Sequence, residues 1–150
     1  MQFDGKVTLL SADKDLRQCL SDKCNILLDV EWAENDLTGK AEPTYKWLSA
    51  KQHTEQTGIP PAAWPQYQAL MGDTVDGIRG VEGIGQKIAK DMIQQFHTAA
   101  QVIHTAKFDQ SFTTPKKRQS LLDFESKLDD TLRLVTLRTV LPLEAATRLT

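Results

Sequence analysis

The stretch GDTVDGIRGVEGIGQKIA, residues 72–89, sets two aspartates three residues apart among five glycines and runs into a helical pattern. Asp73 and Asp76 stand at i and i+3, so a turn or helical conformation projects both carboxylates from one side. Two like charges held together repel. A divalent cation reverses that repulsion, a solvated turn relaxes it through water, and spacing alone leaves both readings open. Gly80, Gly83 and Gly85 allow positive φ and let another chain approach the backbone closely. The N–H groups of this turn and of the helix that follows would then face outward, an arrangement that binds a phosphate oxygen without a basic surface. Lys87 and Lys90, on the first turns of that helix, either add charge for one or two phosphates or stand solvated. QKIAKDMIQQF repeats apolar residues at 88, 92, 93 and 96, which is helical spacing. The stretch therefore reads as helix, hairpin turn, helix.

Working outward, PQYQALMG is expected to be the helix before the turn, with Pro60, Pro61 and Pro65 confined to its start or ahead of it. Thr98 is placed to cap AAQVIHTA, and TPKKRQSLLDFESKLDDTLRLVTL carries Leu121, Phe124, Leu128, Leu132 and Val135 on one helical face. The N-terminal side differs. KVTLLSA (6–12) has strand character and DLRQCLSDK after it reads as a helix; NILLDVEW (25–32) is a second strand, with one more strand expected in the turn-rich AENDLTGKAEP. TYKWLSAKQHTEQTG (44–58) reads as a short helix ended by Gly58. The expected architecture is an α/β segment over residues 1–58 joined to an all-α segment over 59–150.

The chain has 150 residues, a net charge of -2 and a pI near 5.9, which excludes a protein that coats nucleic acid by basic charge alone. No apolar run approaches a membrane span and the opening MQFDGKV lacks a signal-peptide pattern, so no membrane association is expected and the chain reads as cytoplasmic. Cys19 and Cys24 are expected in one helix as reduced, buried thiols, because no second Cys or His pair completes a zinc set.

One more constellation stands at the N-terminal end. In SADKD, Asp13 and Asp15 lie where the first strand passes into its helix, the place where open α/β sheets hold ligands. Acids in a first helical turn also serve as caps, with Lys14 then solvated, and that reading stays open.

Taken together, LLSADKDLRQCLSD (9–22), YQALMGDTVDGIRGVEGIGQKIAKDMIQQF (67–96) and LVTLRTVLPLE (134–144) resemble, in order and spacing, the 5'-3' exonuclease domain of bacterial DNA polymerase I and its flap endonuclease relatives. The resemblance implies part of a PIN-like, resolvase-like nuclease sheet followed by a SAM-like helix-hairpin-helix subdomain. It implies that Asp13, Asp15, Asp73 and Asp76 share one Mg²⁺ or Mn²⁺ site as catalytic metal ligands. It assigns Gly80, Gly83, Ile84, Gly85, Lys87 and Lys90 to a helix-three-turn-helix element that grips the DNA duplex backbone, with a potassium ion at the hairpin. The activity implied is metal-dependent hydrolysis of phosphodiester bonds at 5'-flaps or nicked duplex, without sequence readout.

The departures from the family are also informative. Family members usually have Asn and Pro where this chain has Gly77 and Arg79, and Gly where it has His97. The family's first metal site and its threading arch come from an N-terminal half, so this chain is expected to be the C-terminal portion of a nuclease and inactive by itself. Two other readings stand beside this: a DNA-binding remnant that acts only with another chain, and a helical protein-interaction domain. For the last, Trp32, Trp47 and Trp64 would be anchors, although core packing is the better expectation for most of them. An incomplete sheet also invites self-association.

Overall fold

The structure is a computed structural model, described for residues 5–35 and 39–138. The end of the LVTLRTVLPLE stretch, from residue 139, lies outside the described residues.

A three-stranded sheet opens the chain. Strand β1 (Val7–Leu10) pairs in parallel with β2 (Cys24–Glu34), and β3 (Ala41–Leu48) returns antiparallel to β2. The expected helix after β1 is a short 3-10 helix over Lys14–Cys19. Asp13 caps it, accepting from the Asp15 N–H at 2.9 Å. Cys19 ends that 3-10 helix and Cys24 begins β2, so the two cysteines do not share a helix. Both are free, half-buried thiols, and burial pushes both up from the ordinary cysteine range.

The expected helix from residue 44 is corrected as well. Tyr45, Lys46, Trp47 and Leu48 belong to β3, and helix α1 (Ala50–Thr57) starts only after Ser49. Ser49 and Gln52 form a reciprocal capping box, and Gly58 ends the helix at φ 74°. Pairing with β2 overrides local preference: Leu27 faces Trp47, Val30 faces Tyr45 and Trp32 faces Pro43. Leu20, Ile26 and Leu48 make a small core under the sheet, with Leu9, Leu16, Leu28 and Ala50 against it. The opposite face is bare. Leu10, Trp32, Tyr45 and Trp47 are 73%, 68%, 51% and 46% exposed, so core packing accounts for Trp64 alone of the three tryptophans.

From Ile59 to Arg138 the chain is mainly helical around a second, larger core, and the segment expected to be all-α also contains a short two-stranded ribbon. Pro61–Ala63 form a 3-10 turn leading into α2 (Trp64–Met71), with Pro65 in its first turn, where no helical N–H is lost. α2 is buried on nearly every side and lies against α3 (Gln86–Phe96), α4 (Ala99–Phe108) and α6 (Leu128–Val135). The bounds of α3 are those of the apolar repeat, and Thr98 caps α4 by accepting from the Gln101 N–H. The expected long C-terminal helix is interrupted: α5 (Pro115–Phe124) passes through a 3-10 turn, Glu125–Lys127, into α6. Leu121, Phe124, Leu128 and Val135 are buried and Leu132 packs against them, so the face survives the break.

His97 stops α3 at φ 65°, the positive-φ non-glycine residue among the described ones, and its N–H donates to Ile93 O at 2.8 Å. That backbone conformation explains why a glycine suits the position.

Candidate functional site

Between α2 and α3 the chain makes a tight ribbon. Gly72 ends α2 at φ 80°, and β4 (Gly72–Asp73) pairs antiparallel with β5 (Ile78–Arg79). The two strands touch at Gly72 and Gly80: a methyl group at Gly80 would come within 2.3 Å of the Gly72 nitrogen. Gly80 therefore serves close approach, without using the positive φ that a glycine allows. The intervening turn places Gly77 at φ 69° in open space, a conformation that Asn also tolerates. Val81 N–H then donates to Leu70 O at 2.8 Å, which locks the ribbon to the end of α2.

This ribbon and the 3-10 turn after β1 meet. Asp15, Asp73 and Asp76 each bring a carboxylate oxygen within 4.8 Å of the others. Asp13, expected as a fourth member, is not brought into that group; it is exposed and caps the turn that carries Asp15. Lys14 donates from Nζ to Asp73 Oδ1, and the Val75 N–H donates to the same oxygen at 3.1 Å. Gln68, buried on α2, donates from Nε2 to Asp15 Oδ1 at 2.5 Å.

The three carboxylates differ in surroundings. Burial alone would raise Asp73, but the Lys14 ammonium outweighs it and holds the carboxyl below its ordinary range. Asp76, exposed, is pushed up by the charge of Asp73. The hydrogen bond to Asp73 raises Lys14, with the nearby charges of Asp73, Asp76 and Asp15 adding to it. Three carboxylates against one ammonium leave negative charge uncompensated, and an all-oxygen donor set without sulfur or imidazole suits a hard divalent cation. The residues present therefore fit such an ion.

The hairpin lies beside this cluster. Gly83 takes φ 77°, and the Ile84 N–H donates to Val81 O at 3.1 Å. Ile84 is buried with Val81 in the helical core, so its side chain anchors the turn from within. Gly85 is the N-cap of α3 at φ -91°, without positive φ, without a side-chain cap and with nothing within 4 Å of where a Cβ would stand. Among the described residues nothing requires a glycine there. Lys87 is exposed at the start of α3; Lys90 lies over the end of α1, its side chain against Gly58.

An open cleft of about 820 Å³ joins these parts, with Lys14, Arg17, Asp73, Gly85, Lys87 and Lys90 among its walls. Arg17 was not singled out by the sequence reading. Its guanidinium stands 5.3 Å over the Trp64 ring. The signal was present in the spacing, since residues three apart eclipse in a 3-10 helix, which puts Lys14 and Arg17 on one side. Asp15 and Asp76 open onto a second cleft of about 550 Å³, which Arg79 also lines.

Residues 59–149 match the family described as 5'-3' exonuclease, C-terminal SAM fold. The chain is 30% identical over 122 residues to the 5'-3' exonuclease of Bacillus subtilis (strain 168), covering 81% of this chain and 38% of that protein. It is 31% identical over 139 residues to the thermostable DNA polymerase I of Thermus aquaticus, covering 93% of this chain and 14% of that one. Among solved structures, T5 5'-exonuclease with bound zinc superposes with a TM-score of 0.67 at 27% identity, covering 87% of this chain and 42% of that one. A T5 flap endonuclease solved as a pseudo-enzyme-product complex with DNA and metal ions gives the same TM-score at 26% identity, with the same coverage. The chain thus spans well under half the length of the relatives it matches. Among the described residues no helix is long and apolar enough to cross a membrane. The match over residues 59–149 takes in more than half of the chain, which therefore belongs to the 5'-3' exonuclease family.

Proposed function

We propose that this chain is part of a structure-specific, divalent-metal-dependent 5'-3' exonuclease or flap endonuclease that binds the DNA duplex backbone and hydrolyses phosphodiester bonds. The observation that carries the reading is the single cleft whose walls hold Asp73 together with the uncapped start of α3 and Lys87. Asp15, Asp73 and Asp76 would hold Mg²⁺ or Mn²⁺, with Asp13 fixing the backbone of Asp15 from its cap. Such an ion, when bound, neutralises charge developing on a phosphate and makes water a stronger nucleophile. Gln68 orients Asp15, and the ribbon holds Asp73 and Asp76. The free N–H groups of α3 and the hairpin at Gly83 and Gly85 bind phosphate oxygens on the duplex, with a potassium ion at the hairpin carbonyls. In this division residues 1–58 supply Asp15 and residues 59–150 supply the remaining acids and the grip. The preferred substrates are 5'-flaps and nicked duplex, read through backbone and therefore without base preference.

A second reading, a DNA-binding piece that needs another chain for cleavage, is favoured by the exposed apolar residues on the outer face of the sheet. Self-association through that face belongs to the same reading. An end-labelled 5'-flap duplex incubated with the chain and Mg²⁺ or Mn²⁺, against EDTA, separates the two. Metal-dependent flap release that Asp73→Ala abolishes, with duplex binding kept, supports the nuclease reading. An intact flap with duplex binding whose log-log salt slope is about -2 to -4 supports the second. A flat salt response overturns both.

A further inference from the structure

The proposed cation site already contains a cation of the chain's own. Lys14 reaches across 59 positions of sequence to Asp73, the most buried of the three clustered carboxylates, and lies close enough to Asp76 and Asp15 to feel their charges. Its ammonium therefore stands beside the carboxylates that a divalent ion would need. An ammonium and a divalent ion that both lie against Asp73 repel one another across the carboxylate, so each weakens the other's hold on it. Lys14 is not locked in place: its side chain is 33% exposed, and it forms part of the wall of the large cleft, together with Arg17, Lys87 and the start of α3. A second position is thus available to it, facing the space assigned above to the DNA backbone.

Resting on the metal-site reading, we propose that Lys14 is an internal counter-ion that a divalent cation displaces from Asp73, and that the displaced ammonium turns into the cleft to meet a phosphate. Asp73 keeps a positive partner in both arrangements, so the buried carboxylate is never left unpaired. Lys14 would couple the two ligands: the metal frees the ammonium for phosphate, and phosphate, by holding the ammonium, removes the metal's competitor. Such coupling is reciprocal, each ligand tightening the other by the same factor.

The test is Mn²⁺ binding to the full chain, followed by loss of the free-ion paramagnetic resonance signal, with and without a short DNA duplex. The proteins are wild type, Lys14→Met, Lys14→Gln and Asp73→Asn, each checked for its unfolding transition. The two Lys14 variants are expected to bind Mn²⁺ about tenfold more tightly than wild type in the absence of DNA, and to lose the tightening that duplex confers on wild type. They are also expected to unfold at lower temperature without metal and to regain stability when Mn²⁺ is added. Unchanged or weaker Mn²⁺ binding by folded Lys14 variants, with Asp73→Asn still weakening it, overturns the role of Lys14 and leaves the metal site standing. Saturable binding that Asp73→Asn does not alter, or no binding by wild type, overturns the metal site and the role of Lys14 with it.

Discussion

His53 shows how burial sets the titration of a residue outside the site. It is fully buried on α1, edge-on to Trp64 at 4.9 Å, and neither ring nitrogen has a hydrogen-bond partner among the described residues. Burial, with the charge of Arg17 adding to it, lowers its pKa to about 4. The unfolded chain takes up that proton near pH 6.5 and the folded chain only near pH 4. The contribution is therefore fully present above pH 6.5 and is lost as pH falls toward 4. The shift corresponds to about 3 kcal/mol. Urea unfolding from pH 4.5 to 7.5 should show this slope in wild type and a flatter one in His53→Phe; equal slopes would mean that His53 titrates in the fold as it does in the unfolded chain. Gly80 acts through contact instead. A Cβ there meets the backbone of Leu70, Met71 and Gly72, all within 2.5 Å, and backbone cannot step aside as a side chain end can. Gly80→Ala should cost about 3 kcal/mol or more in equilibrium unfolding. A cost near that of an ordinary surface change would show that the ribbon is not held by this contact.

At the scale of elements, the start of α3 separates structural from functional need. Gly85 has a φ open to any residue and open space around its Cβ position. Serine is the better N-cap, so Gly85→Ser should keep or raise the unfolding midpoint. The added side chain would, however, occupy the space proposed above for a phosphate at the N–H groups of Gln86 and Lys87. Duplex affinity, measured by fluorescence anisotropy, should fall about tenfold; full affinity in a folded Gly85→Ser would move the backbone grip elsewhere. The 3-10 turn after β1 is the other element on which the site depends. Its period of three sends Lys14 and Arg17 to the large cleft, while Asp15 turns toward Gln68. Gln18, on the same turn, donates to Val135 O and accepts from the Leu137 N–H, which ties the sheet to the end of α6.

On the scale of the whole molecule, the sheet is covered on one face and open on the other. Among the described residues β1 is bonded only to β2, in parallel, and parallel pairs are stable chiefly where both faces are buried. The open face carries Leu10, Trp32, Tyr45 and Trp47, an apolar patch of the kind that marks an interface. Sedimentation over rising concentration should show self-association of wild type. Trp32→Glu with Trp47→Lys should remain monomeric and keep the unfolding midpoint, because neither side chain belongs to a core. Association that persists in that pair of substitutions would place the contact on another surface.

The sequence by itself determined those parts whose cause is local: α3 through its apolar repeat, the ends of α1 and α4 through Gly58 and Thr98, and the turn that keeps Asp73 and Asp76 together. The resemblance carried by the aspartates and glycines reached the family. Other features depended on residues far apart in the chain. Tyr45–Leu48 are strand because β2 lies beside them, and no local preference records a neighbour that folding supplies. Only the tertiary structure decided that Asp15 rather than Asp13 joins the carboxylates, since Gln68 and Asp73 lie 53 and 59 positions from the residues they hold. It also decided that Lys14 occupies the cluster instead of facing solvent. A charge in sequence has no partner until the fold brings one within reach, and here the fold brought three acids to one ammonium.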